Sequence, residues 1–292
     1  MKKKTIFSGT ATALITPFKH GKVDYTALKE IIEFQIRSGI DALVIGGTTG
    51  ESATLSDYEK DKLYSFCTET INHRVPMILG CGSNDTKKAV KYTKRAKAHG
   101  ADATLVITPY YNKGTESGIV YHYQKIANST DLPTILYNVP SRTGVNLSLA
   151  AIDILSNEKN ICAIKEASDS SDRLIELSSF SDRLTLYAGN DTQIYTTLSL
   201  GGMGVISVLS NAYPCEILAI TNSFWRGDID TSILLQRKIL SKVHTIFAET
   251  NPTPIKYLMH KLGYCTPDVR LPLSLPSERT LAALKKEFGY RE

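Results

Sequence analysis

Eight short runs of β-branched and apolar residues recur along the chain, and their spacing constrains the fold more than any other feature. The runs cover residues 10–15, 42–45, 76–79, 103–108, 134–138, 161–165, 184–188 and 204–208. Successive runs start roughly 20 to 35 residues apart, which leaves room for a crossover helix but not for a separate domain. Strand–helix alternation repeated eight times is typical of an α/β fold of the (β/α)8 TIM-barrel type, and we predict that architecture.

The segments between the runs carry helical signals. Leu28, Ile31 and Ile36 share one face at helical spacing, and Ser56 with Glu59 has the spacing of a capping box. An open, doubly wound sheet is the alternative fold. It needs a glycine-rich turn after the first strand, and residues 15–18 (Ile-Thr-Pro-Phe) do not provide one.

The chain continues well beyond the eighth run, farther than the one helix that closes a barrel requires. Periodicity from Leu234 onward, the Asn251-Pro252 pair and residues 277–288 predict three more helices. We therefore predict a barrel that carries the active site over residues 1–226 and a C-terminal helical appendage over residues 227–292.

Charge and the distribution of cysteine and histidine exclude several functions. The net charge is +5, and Lys2, Lys3 and Lys4 on an expected loose terminus supply three of these charges. The remainder is nearly neutral, which argues against a nucleic-acid partner. Five cysteines without a CxxC and six histidines without an HExxH spacing predict neither a disulfide framework nor a metal site. Without an apolar run of membrane-spanning length, we expect a cytoplasmic protein with no membrane partner.

Lys165, at the end of the sixth predicted strand, is the most informative single residue. Strand alternation predicts that Ile161, Ala163 and Lys165 share one face and that Cys162 and Ile164 lie on the other. In a barrel, that position faces the mouth at the carboxyl end of the strands, where reactive groups lie. Desolvation there favours the neutral amine, which attacks carbonyl groups to form a Schiff base. A strand-end lysine that extends to solvent is the ordinary alternative.

Other residues at strand ends favour the reactive interpretation. Tyr137 ends the fifth strand and can exchange protons during imine formation. Thr48 and Thr49, in a turn with flanking glycines, offer hydroxyl and N–H donors to a carboxylate, and Arg142 offers a guanidinium to a second one. Each residue alone has a structural explanation, but all four follow strands that open toward the same end of the barrel.

These motifs extend over almost the whole chain. They are GGTTGESATL at 46–55, TPYYNK at 108–113, YNVPSRTG at 137–144, KEAS at 165–168, GVISV at 204–208 and NPTPIK at 251–256. With them the sequence closely resembles the dihydrodipicolinate synthase family, within the pyruvate-dependent class I aldolases that also include N-acetylneuraminate lyase. Tyr111 and the Arg142-Thr143-Gly144 run resemble the synthase in particular.

The resemblance implies specific roles. Lys165 would form the imine with pyruvate, so that no cofactor is needed beyond this covalent adduct. Tyr137, Thr48 and Tyr111 would relay protons, with Tyr111 supplied by a neighbouring subunit. The substrate-binding residues would be Thr49, Ile206 through its backbone, Gly189, and Arg142 for the carboxylate of aspartate semialdehyde.

The resemblance also implies a cytoplasmic homotetramer, a dimer of dimers, in lysine and diaminopimelate biosynthesis. Regulated members bind lysine in a pocket whose two histidines and glutamate are replaced here by Asp57, Lys60 and Lys88. We therefore expect this chain to be insensitive to lysine, because a cation replaces the group that pairs with the ligand ammonium.

Two other functions remain open at this point. A related aldolase that cleaves a sialic or sugar keto acid is one, although Arg142 would then lack a second carboxylate to bind. The other is a barrel that binds pyruvate or an amino acid as a regulator, without turnover, which the presence of Lys165, Tyr137 and Thr48 argues against.

Overall fold

Eight parallel strands close into a barrel in the computed structural model, which describes residues 5–290. All eight predicted runs are strands, with bounds shifted by one or two residues at most. In chain order the barrel strands β1 to β8 are Gly9–Ala13, Ala42–Ile45, Met77–Gly80, Ala103–Ile107, Thr134–Asn138, Ile161–Glu166, Thr185–Ala188 and Gly204–Ser207. The (β/α)8 prediction is confirmed. Lys2, Lys3 and Lys4 lie outside the described residues.

Helices connect these strands and follow the last of them. In chain order α1 to α12 are Tyr25–Arg37, Asp57–Ile71, Thr86–Ala98, Glu116–Ala127, Pro140–Thr143, Leu149–Ser156, Ser171–Ser178, Ile194–Ser199, Pro214–Trp225, Ile229–Ile246, Thr253–Lys261 and Glu278–Phe288. Single 3-10 turns lie at Ser52–Thr54, Asp191–Gln193 and Leu209–Asn211. The predicted capping box begins α2, because the Ser56 hydroxyl accepts from the Glu59 N–H while the Glu59 carboxylate accepts from the Ser56 N–H.

A short antiparallel hairpin after β1 was absent from the sequence prediction. It consists of Phe18–Lys19 and Lys22–Val23. Two residues per strand are too few to show an alternation in the sequence, so no sequence pattern predicted this hairpin.

Glycine closes the barrel between β1 and β8. Gly9 pairs with Gly204, and Gly204 has a φ of 149°. A Cβ atom on Gly204 would lie 1.9 Å from the carbonyl oxygen of Gly9, so no larger residue fits. The two backbones therefore approach closely at the start of both strands.

Alternating side chains divide the core into an inner cluster within the barrel and an outer cluster beneath the helices. The sixth strand departs from the predicted alternation. Ile161 lies in the outer cluster, whereas Cys162 and Ala163 both lie in the inner one. The register of β6 against β5 shifts at this point, so one extra residue forms a bulge and the prediction for Ile161 and Cys162 was wrong. Ala163 and Lys165 still share a face, because the bulge precedes both.

The C-terminal region packs on the barrel as the three predicted helices. Helix α10 packs along α9, and α12 packs along α10. The boundary proposed at residue 226 falls between α9 and α10, but residues after it line the mouth of the barrel. Helices long and apolar enough to cross a membrane are absent from residues 5–290.

Candidate active site

A cavity of about 440 Å³ opens at the carboxyl ends of the barrel strands. Strands β2, β5, β6 and β7, or the loops after them, contribute Thr48, Thr49, Tyr137, Lys165 and Gly189. Its outer wall comes from the end of α10 and the turn between α10 and α11. This is the end of the barrel at which parallel strands direct their following loops, so residues distant in sequence converge here.

Lys165 is the second-to-last residue of β6 and extends into the cavity. The residue is 4% exposed, and its Nζ lies 4.4 Å from the centre of the Tyr137 ring, on the neighbouring strand β5. Within residues 5–290, no carboxylate oxygen lies within 4.0 Å of this amine. The amine is thus enclosed and held against an aromatic face, but no ion pair occupies it.

Asp191 is an acidic residue that lines the same cavity and feels the charge of Lys165. It is fully buried after β7, and its Oδ2 accepts from the backbone N–H groups of Val208 and Leu209 at 3.0 and 3.2 Å. Burial raises the pKa of Asp191, while the hydrogen bonds from the backbone N–H groups of Val208 and Leu209 and the charge of Lys165 act in the opposite direction. Its Oδ1 has no hydrogen-bond partner among the described residues.

Gly189 comes directly after β7 and allows the backbone to approach β6. A Cβ at this position would lie 2.5 Å from the Cβ of Ala167 and 2.6 Å from the Glu166 carbonyl oxygen. The Gly189 N–H donates to that carbonyl at 2.6 Å. The lack of a side chain therefore lets the chain after β7 pack directly against the end of β6, where any larger residue would collide.

The loop after β2 carries both threonines. Thr49 is 3% exposed, and its Oγ1 accepts from the Nδ2 of Asn251 at 2.9 Å. Glu51 follows in the left-handed region with a φ of 52° and forms an ion pair with Lys256, Nζ to Oε1 at 2.6 Å. Both carboxylate oxygens of Glu51 have partners, because Oε2 accepts from the backbone N–H of Arg270 at 2.9 Å. The threonine loop is thereby fastened to the C-terminal region.

Arg142 lies on the short helix α5, beyond the end of β5. Its Nη2 donates to the backbone oxygen of Asn251 at 3.0 Å, and the rest of its guanidinium faces the cavity and solvent. A planar guanidinium that uses one N–H group to donate to a carbonyl oxygen keeps its other N–H groups available for a carboxylate.

The structure brings six of the eight predicted site residues to this cavity. They are Lys165, Tyr137, Thr48, Thr49, Arg142 and Gly189. Tyr111 is not among the lining residues; its side chain is 88% exposed and its φ is 70°. Ile206 is fully buried in the inner cluster and does not line the cavity either. The roles given to all eight residues remain predictions.

Sequence reasoning assigned no site role to Asn251 or Asp191, although both line the cavity. The position of Asp191, directly after the seventh strand, was the signal available for that residue. Asn251 belongs to the motif at 251–256, but nothing local in that motif shows which part of the barrel it faces.

A second cavity, of about 450 Å³, adjoins the first across Thr48, Arg142 and Asn251. Lys60 and Lys88 line it. Lys60 is 8% exposed, and its Nζ lies 4.2 Å from the centre of the Tyr92 ring. Burial lowers the pKa of Lys60, and the positive charge of Lys88 adds to that effect while Asp57 opposes it.

A buried lysine without an ion pair, beside a phenol in the mouth of a (β/α)8 barrel, is the arrangement that an enzyme of the Schiff-base, class I aldolase type requires. A family model described as the dihydrodipicolinate synthetase family matches residues 6–288. The chain belongs to this family, whose role is in lysine biosynthesis, and it is a lyase of the class I aldolase type.

Individual relatives match this chain over nearly the full length of both proteins. A 4-hydroxy-tetrahydrodipicolinate synthase from Clostridium novyi (strain NT) is 43% identical over 282 residues, which are 96% of this chain and 95% of that protein. A solved dihydrodipicolinate synthase from Thermotoga maritima has a TM-score of 0.95 at 37% identity and covers 98% of both chains. The chloride-inhibited enzyme of Acinetobacter baumannii, solved in complex with pyruvate, has a TM-score of 0.94 at 36% identity and covers 98% of this chain and 100% of its own.

Proposed function

We propose that this chain condenses pyruvate with L-aspartate 4-semialdehyde through an imine on Lys165, and thereby acts as a 4-hydroxy-tetrahydrodipicolinate synthase. One observation carries the proposal: the Lys165 amine is buried, points into the mouth cavity beside Tyr137, and has no carboxylate partner. A lysine retained in such a place for stability alone would be expected to carry an ion pair, as Lys256 does.

The first half of the reaction uses pyruvate. The neutral amine of Lys165 attacks the ketone carbon of pyruvate, and loss of one water from the carbinolamine gives the imine. The Lys165 amine lies over the Tyr137 ring, and we assign to the phenol of Tyr137 the donation and acceptance of the protons of these steps, with Thr48 of the same cavity wall as the next group. Thr49 and the backbone of Ile206 would hold the pyruvate carboxylate, whereas the Gly189 N–H is already taken by the Glu166 carbonyl oxygen.

The second half forms the new carbon–carbon bond. Loss of a proton from the pyruvate methyl group converts the imine to an enamine, whose carbon attacks the aldehyde carbon of the semialdehyde. The amino group of the adduct then attacks the imine carbon and displaces the Lys165 amine, which closes the ring as a cyclic imine; the water lost when the first imine formed is the second product. Arg142 is placed to bind the carboxylate of the semialdehyde, since its guanidinium borders the same cavity.

Tyr111 and the oligomer belong together in this proposal. Because the Tyr111 side chain is 88% exposed and does not line the cavity of its own chain, it would complete the proton relay in a neighbouring subunit of a cytoplasmic homotetramer. Mixing inactive Tyr111→Phe and Lys165→Ala proteins under conditions of subunit exchange should then restore part of the activity. No recovery despite demonstrated exchange would mean that one chain builds each site.

Reduction by borohydride in the presence of pyruvate tests the imine. We expect inactivation and a reduced pyruvate adduct on Lys165 in peptide mass spectra. Lys256 is the internal control, because it is equally buried but paired with Glu51. An adduct on Lys256 or another lysine would refute the assignment, and turnover of N-acetylneuraminate in place of semialdehyde condensation would refute the substrate.

A further inference from the structure

We infer that Asn251 is a positioning residue that sets both carboxylate-binding groups of the mouth, Thr49 through its side chain and Arg142 through its backbone. The inference rests on the proposed function, because it concerns how the two substrate carboxylates are held. It assigns a task to the 251–256 motif, which the catalytic steps above do not use.

The side-chain contact fixes the direction of the Thr49 hydroxyl. The Asn251 amide nitrogen donates to Thr49 Oγ1 at 2.9 Å, and the two residues are 5% and 3% exposed. A hydroxyl has one proton and can accept as well as donate. Since Asn251 occupies it as an acceptor, Thr49 keeps its own proton to donate, and a substrate carboxylate in the cavity is the acceptor that needs it.

The backbone contact acts on the second group. Arg142 Nη2 donates to the carbonyl oxygen of Asn251 at 3.0 Å. Arg142 is 109 positions from Asn251 in sequence and Thr49 is 202 positions away. A single residue therefore fixes the spacing between a donor for the pyruvate carboxylate and the guanidinium for the semialdehyde carboxylate.

The turn that carries Asn251 is itself held rigidly. It precedes α11, and Lys256 on that helix forms the buried ion pair with Glu51, two residues after Thr49. The Thr253 N–H donates to the Thr250 carbonyl at 2.9 Å and closes the turn around Asn251. Two links thus join this turn to the threonine loop, and a positioning group needs such support to be effective.

The other end of the Asn251 side chain argues against a purely structural role. Its Oδ1 is buried and has no hydrogen-bond partner among the described residues. A buried acceptor without a partner is unfavourable for folding. The amide at this position is explained by what its nitrogen does for Thr49.

Two substitutions separate these possibilities. Asn251→Ala removes the donor, and we expect the KM for pyruvate to rise by about 3- to 10-fold, as for one lost hydrogen bond. Asn251→Asp preserves the shape, but it accepts the Thr49 proton and places a negative charge beside the pyruvate carboxylate. We therefore expect it to be worse than the alanine variant, with a rise of about 100-fold or more.

The KM for the semialdehyde and the melting temperature of each variant provide the internal comparison. Both variants keep the backbone carbonyl that holds Arg142, so the KM for the semialdehyde should change by less than about 3-fold. Asn160→Asp is a matched control. Asn160 directly precedes β6, at the opposite end of the barrel, and its side-chain amide donates to the Ala127 and Thr130 carbonyl oxygens. This substitution should lower the melting temperature and leave both KM values unchanged.

The outcomes are distinct. A pyruvate KM of Asn251→Asp equal to or lower than that of Asn251→Ala would overturn the inference. A lower melting temperature of both Asn251 variants without a change in the KM for pyruvate would overturn it as well. Borohydride trapping of the wild-type enzyme with pyruvate is run in parallel. Absence of a Lys165 adduct in the wild type would contradict the proposed function, whereas a normal adduct with normal pyruvate binding in Asn251→Asp would contradict this inference alone.

Discussion

Two lysines are buried near the mouth of this barrel, and their surroundings differ in one respect. Lys165 is 4% exposed and Lys256 is fully buried. Both amines lie over an aromatic ring, that of Tyr137 at 4.4 Å and that of Phe18 at 3.9 Å. Only Lys256 contacts a carboxylate, Glu51 at 2.6 Å; no carboxylate of residues 5–290 lies that close to Lys165.

The difference teaches that burial alone does not make a lysine reactive. Burial lowers the pKa of Lys256, and the charge and hydrogen bond of Glu51 act against that effect. An ammonium held in such a pair has no free electron pair, and it fastens α11 to the threonine loop. Lys165 has no ion pair to break before it attacks a carbonyl, so the same residue type serves chemistry in one place and structure in the other.

The largest expected effect separates the two lysines by activity. Lys165→Ala should lower kcat by at least about 10³-fold, which corresponds to about 4 kcal/mol of transition-state stabilisation. Its melting temperature should be unchanged or higher, because an enclosed amine without an ion-pair partner does not stabilise the fold. Turnover and thermal melting of one preparation measure both quantities. A variant that retains a tenth of wild-type turnover would place the nucleophile elsewhere.

The next effect is on stability. Lys256→Met leaves Glu51 as a buried, unpaired charge, and we expect a loss of about 3–5 kcal/mol in the free energy of unfolding. Adding Glu51→Gln should recover part of this loss, because the uncompensated charge is then removed. Denaturant titration of the single and double variants provides the comparison. If the double variant were less stable than Lys256→Met, the ion pair would not be the reason for the loss.

A smaller effect concerns a lysine introduced into the same mouth. Arg142→Lys retains the charge but not the planar pair of donors, so the KM for the semialdehyde should rise by about 10- to 100-fold. Position 142 is exposed, and an exposed amine stays protonated at neutral pH. Borohydride should therefore still trap pyruvate on Lys165 alone. Equal loss of both half-reactions would assign Arg142 a role in folding.

The smallest effect is expected from free lysine. Lys60 is a third enclosed lysine, and it lines the second cavity with Lys88. Asp57 does not neutralise them, because it pairs with Lys91 at 2.7 Å and Arg95 at 3.3 Å. A ligand ammonium about 4 Å from either amine would be opposed by up to about 4 kcal/mol near a surface.

We therefore expect millimolar lysine to change neither turnover nor melting temperature, since a ligand that does not bind cannot shift folding. Enzyme kinetics and thermal melting with and without lysine check this. Saturable inhibition that disappears in Tyr110→Ala would refute it, because Tyr110 lines the same cavity.

The sequence predicted some elements and missed others for physical reasons. Strands and helices repeat with periods of two and 3.6 residues, so eight strands and the Ser56 cap were visible in it. The bulge at Cys162 was not visible in the sequence, because the register of a strand depends on how it fits its neighbours. The position of Lys165 survived this error, since it is counted from the carboxyl end of β6 and the bulge lies before it.

By itself the sequence determined the barrel and the location of six residues in its mouth, because each of those residues lies at the carboxyl end of a strand or in the loop after it, and the barrel fixes the direction of the strands. Only the tertiary structure decided which lysine is paired and that Asn251 joins Thr49 to Arg142 across 202 and 109 positions. These contacts arise when the C-terminal helices pack over the barrel. Local sequence carries no record of such packing, because the free energy that fixes it comes from apolar surface buried jointly by distant segments.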